Sequence, residues 1–108
     1  IYTADIVYSC FKCFKLVLQA DGNFVVYTTS DPVRTIWSSG TQNKGGIKLC
    51  MRTDGNLVLY TSNNTVVWAT GIYFPGAYLE MQSDGQLAIW QNGISRYVSG
   101  KIAACVAP

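Results

Sequence analysis

The fold is decided by a segment that occurs three times, beginning with LVLQADGNFVVY at Leu16–Tyr27. Its counterparts are LCMRTDGNLVLY at Leu49–Tyr60 and LEMQSDGQLAIW at Leu79–Trp90. In each copy apolar residues alternate with polar or mixed ones, and an Asp-Gly pair lies in the middle. Alternation with a period of two indicates β-strands, and Asp-Gly between them indicates a tight turn. Each copy therefore predicts a β-hairpin.

A second landmark follows each hairpin at matching spacing. It reads WSSG at Trp37–Gly40, WATG at Trp68–Gly71 and YVSG at Tyr97–Gly100. Two landmarks that recur in step indicate three copies of one module. We predict a single domain over residues 1–108, with repeats at about 1–40, 41–71 and 72–108. The aromatic residues that open the second landmark are expected to meet at its centre.

One side of every hairpin is apolar and is expected to form the core. Its residues are Leu16, Leu18, Phe24, Val26, Leu49, Met51, Leu57, Leu59, Leu79, Met81, Leu87 and Ile89. Each hairpin can bury this side only against the other two. We therefore predict an all-β fold of three antiparallel sheets around a pseudo-threefold axis, without a substantial helix.

The composition argues against several classes of function. Hydrophobic residues make up 49% of the chain, and the formal net charge is only +2, with scattered basic residues. We therefore expect neither nucleic-acid binding nor membrane insertion. The chain has no histidine and only six acidic residues, three of them in the Asp-Gly turns. We predict a non-enzymatic protein without a metal or cofactor.

The four cysteines are Cys10, Cys13, Cys50 and Cys105. An even number in a short chain indicates one or two disulfides and an oxidising compartment, with the pairing left open. The spacing of Cys10 and Cys13 also occurs in zinc and redox sites, but no second such pair accompanies it. A glycosylation sequon at Asn63–Thr65 agrees with secretion. We expect a secreted, extracellular protein, or a vacuolar one in a plant.

The polar side of the first hairpin carries Gln19, Asp21, Asn23, Val25 and Tyr27. Sugar hydroxyls pair with planar polar groups that donate and accept, and the C–H face of a sugar ring packs on an apolar residue. An alternative is that the Asp and Asn only shape the turn. That alternative leaves the Gln and Tyr at matching positions without an explanation, so we predict a sugar site.

The pattern QxDxNxVxY resembles the mannose-binding signature of the monocot lectins, also called snowdrop-type or bulb-type lectins. The resemblance covers nearly the whole chain and implies the β-prism II fold, with three four-stranded sheets and one candidate site per repeat. It also implies that Asp21 and Asn23 bind the axial 2-hydroxyl of mannose. By the same resemblance Gln19 binds the 3-hydroxyl, Tyr27 binds the 4-hydroxyl, and Val25 contacts the ring carbons.

The second copy of the pattern consists of Arg52, Asp54, Asn56, Val58 and Tyr60, with Arg in place of Gln. Arginine offers donors only, on a permanently charged fork. It can reach a hydroxyl or recruit an acidic sugar, but we expect it to form a salt bridge with Asp54 and so to weaken mannose binding.

The third copy consists of Gln82, Asp84, Gln86, Ala88 and Trp90. Here Gln replaces Asn, Ala replaces Val, and Trp, which cannot accept a hydrogen bond, replaces Tyr. We expect this site to be inactive or altered.

The chain also departs from the family outside the motifs. Members often carry a cysteine where Gly22 stands, linked to the second repeat. Cys50 points to the polar side beside Arg52, so a disulfide there would crowd the second site. The first sheet is expected to lack its leading strand, and the tail Lys101–Pro108 to compensate in this protomer or in a partner. Strand exchange of this kind is common in the family, so a homodimer is expected.

The resulting functional prediction is a mannose-binding lectin, an agglutinin that recognises mannose-containing glycans or glycoproteins in recognition or defence. The alternative is a lectin-fold protein with mostly degraded sugar sites that acts by binding a protein partner.

Overall fold

The computed structural model describes residues 1–104, which form three antiparallel β-sheets and one turn of 3-10 helix at Cys10–Lys12. The strands are β1 (Ile6–Tyr8), β2 (Phe14–Leu18), β3 (Phe24–Thr28), β4 (Thr35–Ser38), β5 (Gly46–Met51), β6 (Leu57–Thr61), β7 (Val66–Ala69), β8 (Tyr78–Met81), β9 (Leu87–Gln91) and β10 (Ile94–Val98). The predicted all-β class is confirmed. Within the described residues, no helix has the length and apolar character needed to cross a membrane.

Each repeat contributes one sheet. The strand orders are β1-β2-β3-β4, β5-β6-β7 and β10-β9-β8. The first sheet therefore has four strands, whereas the other two have three strands each within residues 1–104. The N-terminus partly extends the second sheet, because Leu49 N donates to Ile1 O at 2.7 Å and Tyr2 forms a bridge with Lys48.

The expectation that the first sheet lacks a leading strand is wrong. Strand β1 pairs with β2 in antiparallel register, with Ile6 opposite Val17 and Tyr8 opposite Lys15. At the other end of the chain, Ala103 N donates to Asp84 O at 2.7 Å. The predicted pairing of the tail falls largely on residues 105–108, which lie outside the described residues.

The predicted core lies between the three sheets. Its buried members are Leu16, Leu18, Phe24, Val26, Leu49, Leu57, Leu59, Met81, Leu87 and Ile89. Met51 and Leu79 are half-buried and pack against this core. Burial of these side chains is the main force that holds the sheets together, since each sheet has one apolar face.

Two of the three aromatic residues predicted to meet at the centre do so, since the ring centroids of Trp37 and Trp68 lie 6.4 Å apart. The ring of Phe24 lies 5.4 Å from that of Trp37 and 4.8 Å from that of Trp68, both in tilted or edge-on geometry. Such arrangements are favoured over flat stacking and add about 0.5–1.5 kcal/mol per pair. Tyr97, the third predicted member, is half-buried and packs against the same core. Phe14 is also fully buried, although the repeat pattern does not include it.

The cysteines do not all pair with one another. Cys10 and Cys50 are free thiols, so neither of these two disulfide candidates is part of a disulfide. Cys13 is buried in the core at 5% exposure and is not among the free thiols. Cys105 lies outside the described residues. Among residues 1–104, no group of His, Cys, Asp and Glu is arranged to hold a metal ion.

Candidate sugar-binding sites

The structure brings the five motif residues of the first hairpin onto one face. Gln19 follows β2, Asp21 and Asn23 lie in the turn, and Val25 and Tyr27 lie on β3. The turn is closed by a hydrogen bond from Gln19 N to Asn23 O at 2.9 Å. At the far end of the face, Gln19 Nε2 donates to the Tyr27 hydroxyl oxygen. We call this surface the first face, and the matching surfaces of the other hairpins the second and third faces.

The side chain of Asn23 is held by the segment that follows β4. Its Oδ1 accepts from Ser39 Oγ at 2.9 Å and from Thr41 N at 3.2 Å. Thr41 Oγ1 in turn donates to Gly22 O at 2.8 Å. Because both bonds engage the carbonyl oxygen, the amide nitrogen Nδ2 is left to donate to a ligand. Asn23 Nδ2 donates no hydrogen bond to any described residue.

The first face presents a mixture of unused donors and acceptors. Asp21 Oδ1 accepts from Asn23 N at 2.9 Å, whereas Oδ2 accepts no hydrogen bond from residues 1–104. Gln19 uses its Nε2 on Tyr27, which leaves its Oε1 as an acceptor and the Tyr27 O–H as a donor. Together with Asn23 Nδ2 and the second N–H of Gln19 Nε2, both acceptors and donors remain on this face. Hydroxyl groups, which both donate and accept, match this set.

The apolar residue of the motif forms the floor of each face. Val25 and Val58 are each 2% exposed, and Ala88 is fully buried. A ligand on the first face therefore rests chiefly on the polar side chains around Val25. The contact between Val25 and the ring carbons of a sugar stays a prediction.

The second face has the same backbone and a different set of contacts. Asn56 Oδ1 accepts from Thr70 Oγ1 and from Gly71 N, both at 2.9 Å, as Asn23 does in the first face. Arg52, however, donates from Nη1 to the Tyr60 hydroxyl at 2.7 Å. Its Nη2 lies 3.1 Å from Asp54 Oδ2. The predicted salt bridge is confirmed.

These two contacts change the chemistry of the second face. The hydrogen bond to Tyr60 and the charge of Asp54 raise the pKa of Arg52 above its ordinary value. Asp54 Oδ1 accepts from Asn56 N at 3.0 Å, so both oxygens of the carboxylate are engaged within the hairpin. The Oδ2 atom, which is unused in Asp21, is thus paired with Arg52 in Asp54.

The polar side chains of the third face form hydrogen bonds with one another. Gln86 Nε2 donates to Asp84 Oδ2 at 3.0 Å, and Gln82 Nε2 donates to Oδ1 at 3.1 Å. The Trp90 ring nitrogen donates to Gln82 Oε1 at 3.1 Å. The groups that would meet a sugar are therefore paired with one another.

The contacts of the third face also act on the ionisation of Asp84. Partial burial of this carboxylate opposes its charged form. Hydrogen bonds from the side chain and backbone of Gln86, and then from Gln82, outweigh that effect and lower the pKa of Asp84. The third face is therefore organised around an ionised carboxylate.

The motif pattern did not identify the residues that orient the two asparagines. These are Ser39 and Thr70, which also accept from the backbone N–H of Phe24 and Leu57 at 3.1 and 3.2 Å. Both lie one residue before the glycine of the WSSG and WATG segments. The sequence thus contained the signal, a hydroxyl at a repeated position. Ser99 of the third repeat accepts from Leu87 N at 3.0 Å but forms no hydrogen bond with Gln86.

A cavity of about 330 Å³ lies away from the motif faces. Its lining residues are Cys13, Phe14, Thr28, Ser30, Asp31, Pro32, Arg34 and Ala104. None of them belongs to the sugar motifs.

Comparison with solved structures gives relatives over nearly the whole chain. A monomeric monocot mannose-binding lectin from Gastrodia elata has a TM-score of 0.81 at 29% identity, covering 95% of this chain and 92% of its own. A lectin from Marasmius oreades has a TM-score of 0.82 at 26% identity, covering 94% and 84%. The Polygonatum cyrtonema lectin, solved with a monomannoside, has a TM-score of 0.71 at 26% identity, covering 92% and 87%.

No protein-family model and no curated protein matches the sequence. The three structural relatives are all lectins, a class that binds carbohydrate without catalysis, so the prediction that the chain is not an enzyme is confirmed. The chain has the β-prism II fold of the monocot mannose-binding lectins, and the resemblance to this family that its sequence predicted is confirmed by its structure.

Proposed function

We propose that this protein is a mannose-binding lectin whose working site is the first face. The observation that carries the proposal is the set of unused groups on Gln19, Asp21, Asn23 and Tyr27. Similarity to the Gastrodia elata lectin and to the Polygonatum cyrtonema lectin bound to a monomannoside supports mannose as the ligand.

The geometry suggests how one sugar would be recognised. Asp21 Oδ2 and Asn23 Nδ2 offer an acceptor and a donor from neighbouring turn residues, which suits one hydroxyl that donates to the first and accepts from the second. Gln19 Oε1 would accept from a second hydroxyl, and the Tyr27 O–H would donate to a third. We assign these to the 2-, 3- and 4-hydroxyls of mannose, in that order.

Such a site binds a monosaccharide weakly. A few hydrogen bonds on a shallow surface, exchanged against water, are expected to give a Kd near the millimolar range, or about −4 kcal/mol. Useful affinity for a cell surface then requires several sites that act together. With one open face per chain, agglutination would need an oligomer, and we propose a homodimer.

We further propose that the protein acts outside the cell, or in a plant vacuole, in recognition or defence. A multivalent ligand such as a mannose-rich glycoprotein would be its natural target. The exposed sequon residue Asn63 agrees with passage through the secretory pathway.

One observation favours a second function. The third face is internally paired and the second is occupied by Arg52, so most of the repeated polar surface does not display the mannose pattern. A chain with this surface would bind a protein partner through other residues. This alternative predicts that Asp21→Asn keeps the biological activity of the protein, so loss of that activity in the variant would argue against it.

The proposal is tested by calorimetric titration with methyl α-mannoside. Asp21→Asn removes the charged acceptor of the first face, and Asp84→Asn makes the same substitution in the closed third face. We expect saturable binding in the wild type, loss of binding in Asp21→Asn and retention in Asp84→Asn. Absence of binding to a folded wild type, or equal binding by both variants, would contradict the proposal.

A further inference from the structure

The second face differs from the first in the kind of hydrogen-bonding group that it offers. Asp54 has both carboxylate oxygens engaged, and the Arg52 side chain carries no acceptor. What remains are donors: the unused N–H groups of Arg52, the O–H of Tyr60 and the Nδ2 of Asn56. A ligand for this face must therefore supply acceptors.

The guanidinium of Arg52 is held in place before any ligand arrives. Tyr60 and Asp54 each fix one terminal nitrogen, at 2.7 and 3.1 Å. Of the five N–H donors of an arginine, at least three therefore remain unused. The Arg52 side chain is still 47% exposed, so these donors are accessible. A fixed, planar fork of this kind suits a carboxylate or sulfate group.

Asn56 contributes a further accessible donor. The residue is only 5% exposed, and its Oδ1 is fully used by Thr70 and Gly71. Within residues 1–104 the only buried side-chain nitrogen or oxygen without a partner is Arg96 Nε. Asn56 Nδ2, which has no partner among these residues, must therefore reach the surface.

A lysine adds positive charge to the same face. Lys48 lies opposite Tyr60 in the β5–β6 pairing, and its Nζ is 5.5 Å from the centre of the Tyr60 ring. It donates to Asn64 Oδ1 at 2.7 Å, which leaves two of its three N–H groups unused. The second face thus combines Lys48 and Arg52 with one carboxylate, Asp54.

The other two faces do not carry this excess of positive charge. On the first face, Lys15 lies opposite Tyr27 and is matched by the carboxylate of Asp21. On the third face, Glu80 lies opposite Ala88, and Asp84 adds a second negative charge. Only the second of the three hairpins carries an excess of positive charge on its polar side.

We infer that the second face binds an acidic saccharide, one that carries a carboxylate or sulfate group, and that Arg52 determines this specificity. The anionic group accepts from the Arg52 fork, and Lys48 adds attraction. A neighbouring sugar hydroxyl accepts from Asn56 or Tyr60. This inference rests on the proposed function only in taking the polar side of each hairpin as a sugar-binding surface. A chain of this kind would recognise a neutral and an acidic sugar on two different faces.

The test uses calorimetry and NMR titration of the full chain with three probes. These are methyl β-glucuronide, the matched neutral methyl β-glucoside, and acetate as a bare carboxylate. Glucose 6-sulfate in a parallel titration distinguishes a sulfate from a carboxylate ligand. The variants are Arg52→Gln, Arg52→Lys, and Lys15→Gln as a control that removes a cation from the first face.

We expect the glucuronide to bind the wild type more tightly than the glucoside, with the backbone amide shifts centred on residues 52–60. Arg52→Gln should weaken glucuronide binding about tenfold or more, because charge-assisted hydrogen bonds are lost. Arg52→Lys should weaken it less, and Lys15→Gln should leave it unchanged. Since Arg52→Gln also restores the QxDxNxVxY pattern, it should create a second mannose site.

Several results would overturn the inference. These are equal binding of glucuronide and glucoside, equal binding of acetate and glucuronide, or glucuronide binding that survives in a folded Arg52→Gln. Failure of the mannose proposal would look different, since methyl α-mannoside would then fail on the wild type while glucuronide still bound at residues 52–60.

Discussion

Gln86 donates its side-chain amide to the carboxylate of Asp84 at 3.0 Å, whereas Asn23, its equivalent in the first hairpin, directs its side chain to Ser39 instead. One additional methylene lets the Gln86 amide turn back onto the aspartate of its own hairpin. The same backbone therefore presents an open polar face in one repeat and a closed one in another.

This relationship predicts that the third face can be opened. The triple variant Gln86→Asn, Ala88→Val and Trp90→Tyr restores the motif, and the new Asn should lose its contact to Asp84. Calorimetry with methyl α-mannoside should then report about one more site per chain than the wild type. The single variant Trp90→Tyr serves as control and should add no site, because Gln86 still occupies Asp84. An unchanged stoichiometry in the folded triple variant would contradict the explanation.

The hydroxyl of Ser39 is predicted to support mannose binding without touching the sugar. Ser39→Ala removes a donor to Asn23 Oδ1, which frees the amide to rotate. Loss of one such hydrogen bond is worth about 1 kcal/mol, so the affinity should fall roughly fivefold. The matched control is Ser38→Ala, at an exposed neighbouring position. Equal affinities of the two variants in the mannoside titration would argue against this role.

Gly55 is predicted to be essential for the stability of the second turn. Its φ is +90°, and a Cβ there would lie 2.3 Å from Phe74 O and 2.4 Å from Phe74 N. Gly55→Ala must displace backbone, so we expect the free energy of unfolding to fall by about 2 kcal/mol or more. Gly71→Ala is the control, since Gly71 has a φ of +72° but nothing within 4 Å of the added Cβ.

Urea denaturation measures both variants. The control should lose only the smaller amount that a positive φ costs a residue with a side chain, about 1 kcal/mol. Equal losses in the two glycine variants would show that the contact with Phe74 contributes nothing.

The depressed pKa of Asp84 predicts a dependence of stability on pH. A carboxylate with a lower pKa in the folded than in the unfolded state stabilises the fold fully above its unfolded pKa, near 3.8. This contribution is lost as the pH falls through the folded pKa. We expect Asp84→Asn to flatten the decline of thermal stability below about pH 4. The effect should be small because solvent screens the carboxylate. An unaltered acid profile would contradict it.

Much of the fold could be predicted because three copies of one pattern had to agree. Alternation fixed which residues are buried, and the Asp-Gly pairs fixed the turns. The leading strand β1 was missed because Ile6–Tyr8 is too short for alternation to reveal it. Phe14 was missed because it precedes the repeated segment.

The residues of the candidate site could be predicted, but the hydrogen bonds that those residues form with one another could not. The motif specified which side chains share a face, since side chains two residues apart on a strand lie on the same side. It did not specify which donors and acceptors would already be paired. That depends on lengths and angles of side chains, as the contrast between Asn23 and Gln86 shows. The cysteines illustrate the same limit, because an even count does not establish which cysteines form a disulfide, and Cys10 and Cys50 are free.

NMR titration of isotope-labelled protein with methyl α-mannoside shows whether the first face is the open mannose site. The side-chain amide signals of Gln19 and Asn23 should shift in a saturable manner, while those of Gln82 and Gln86 should stay in place. Shifts of equal size on the first and third faces, or no shift at Gln19 and Asn23 at saturating sugar, would contradict the account.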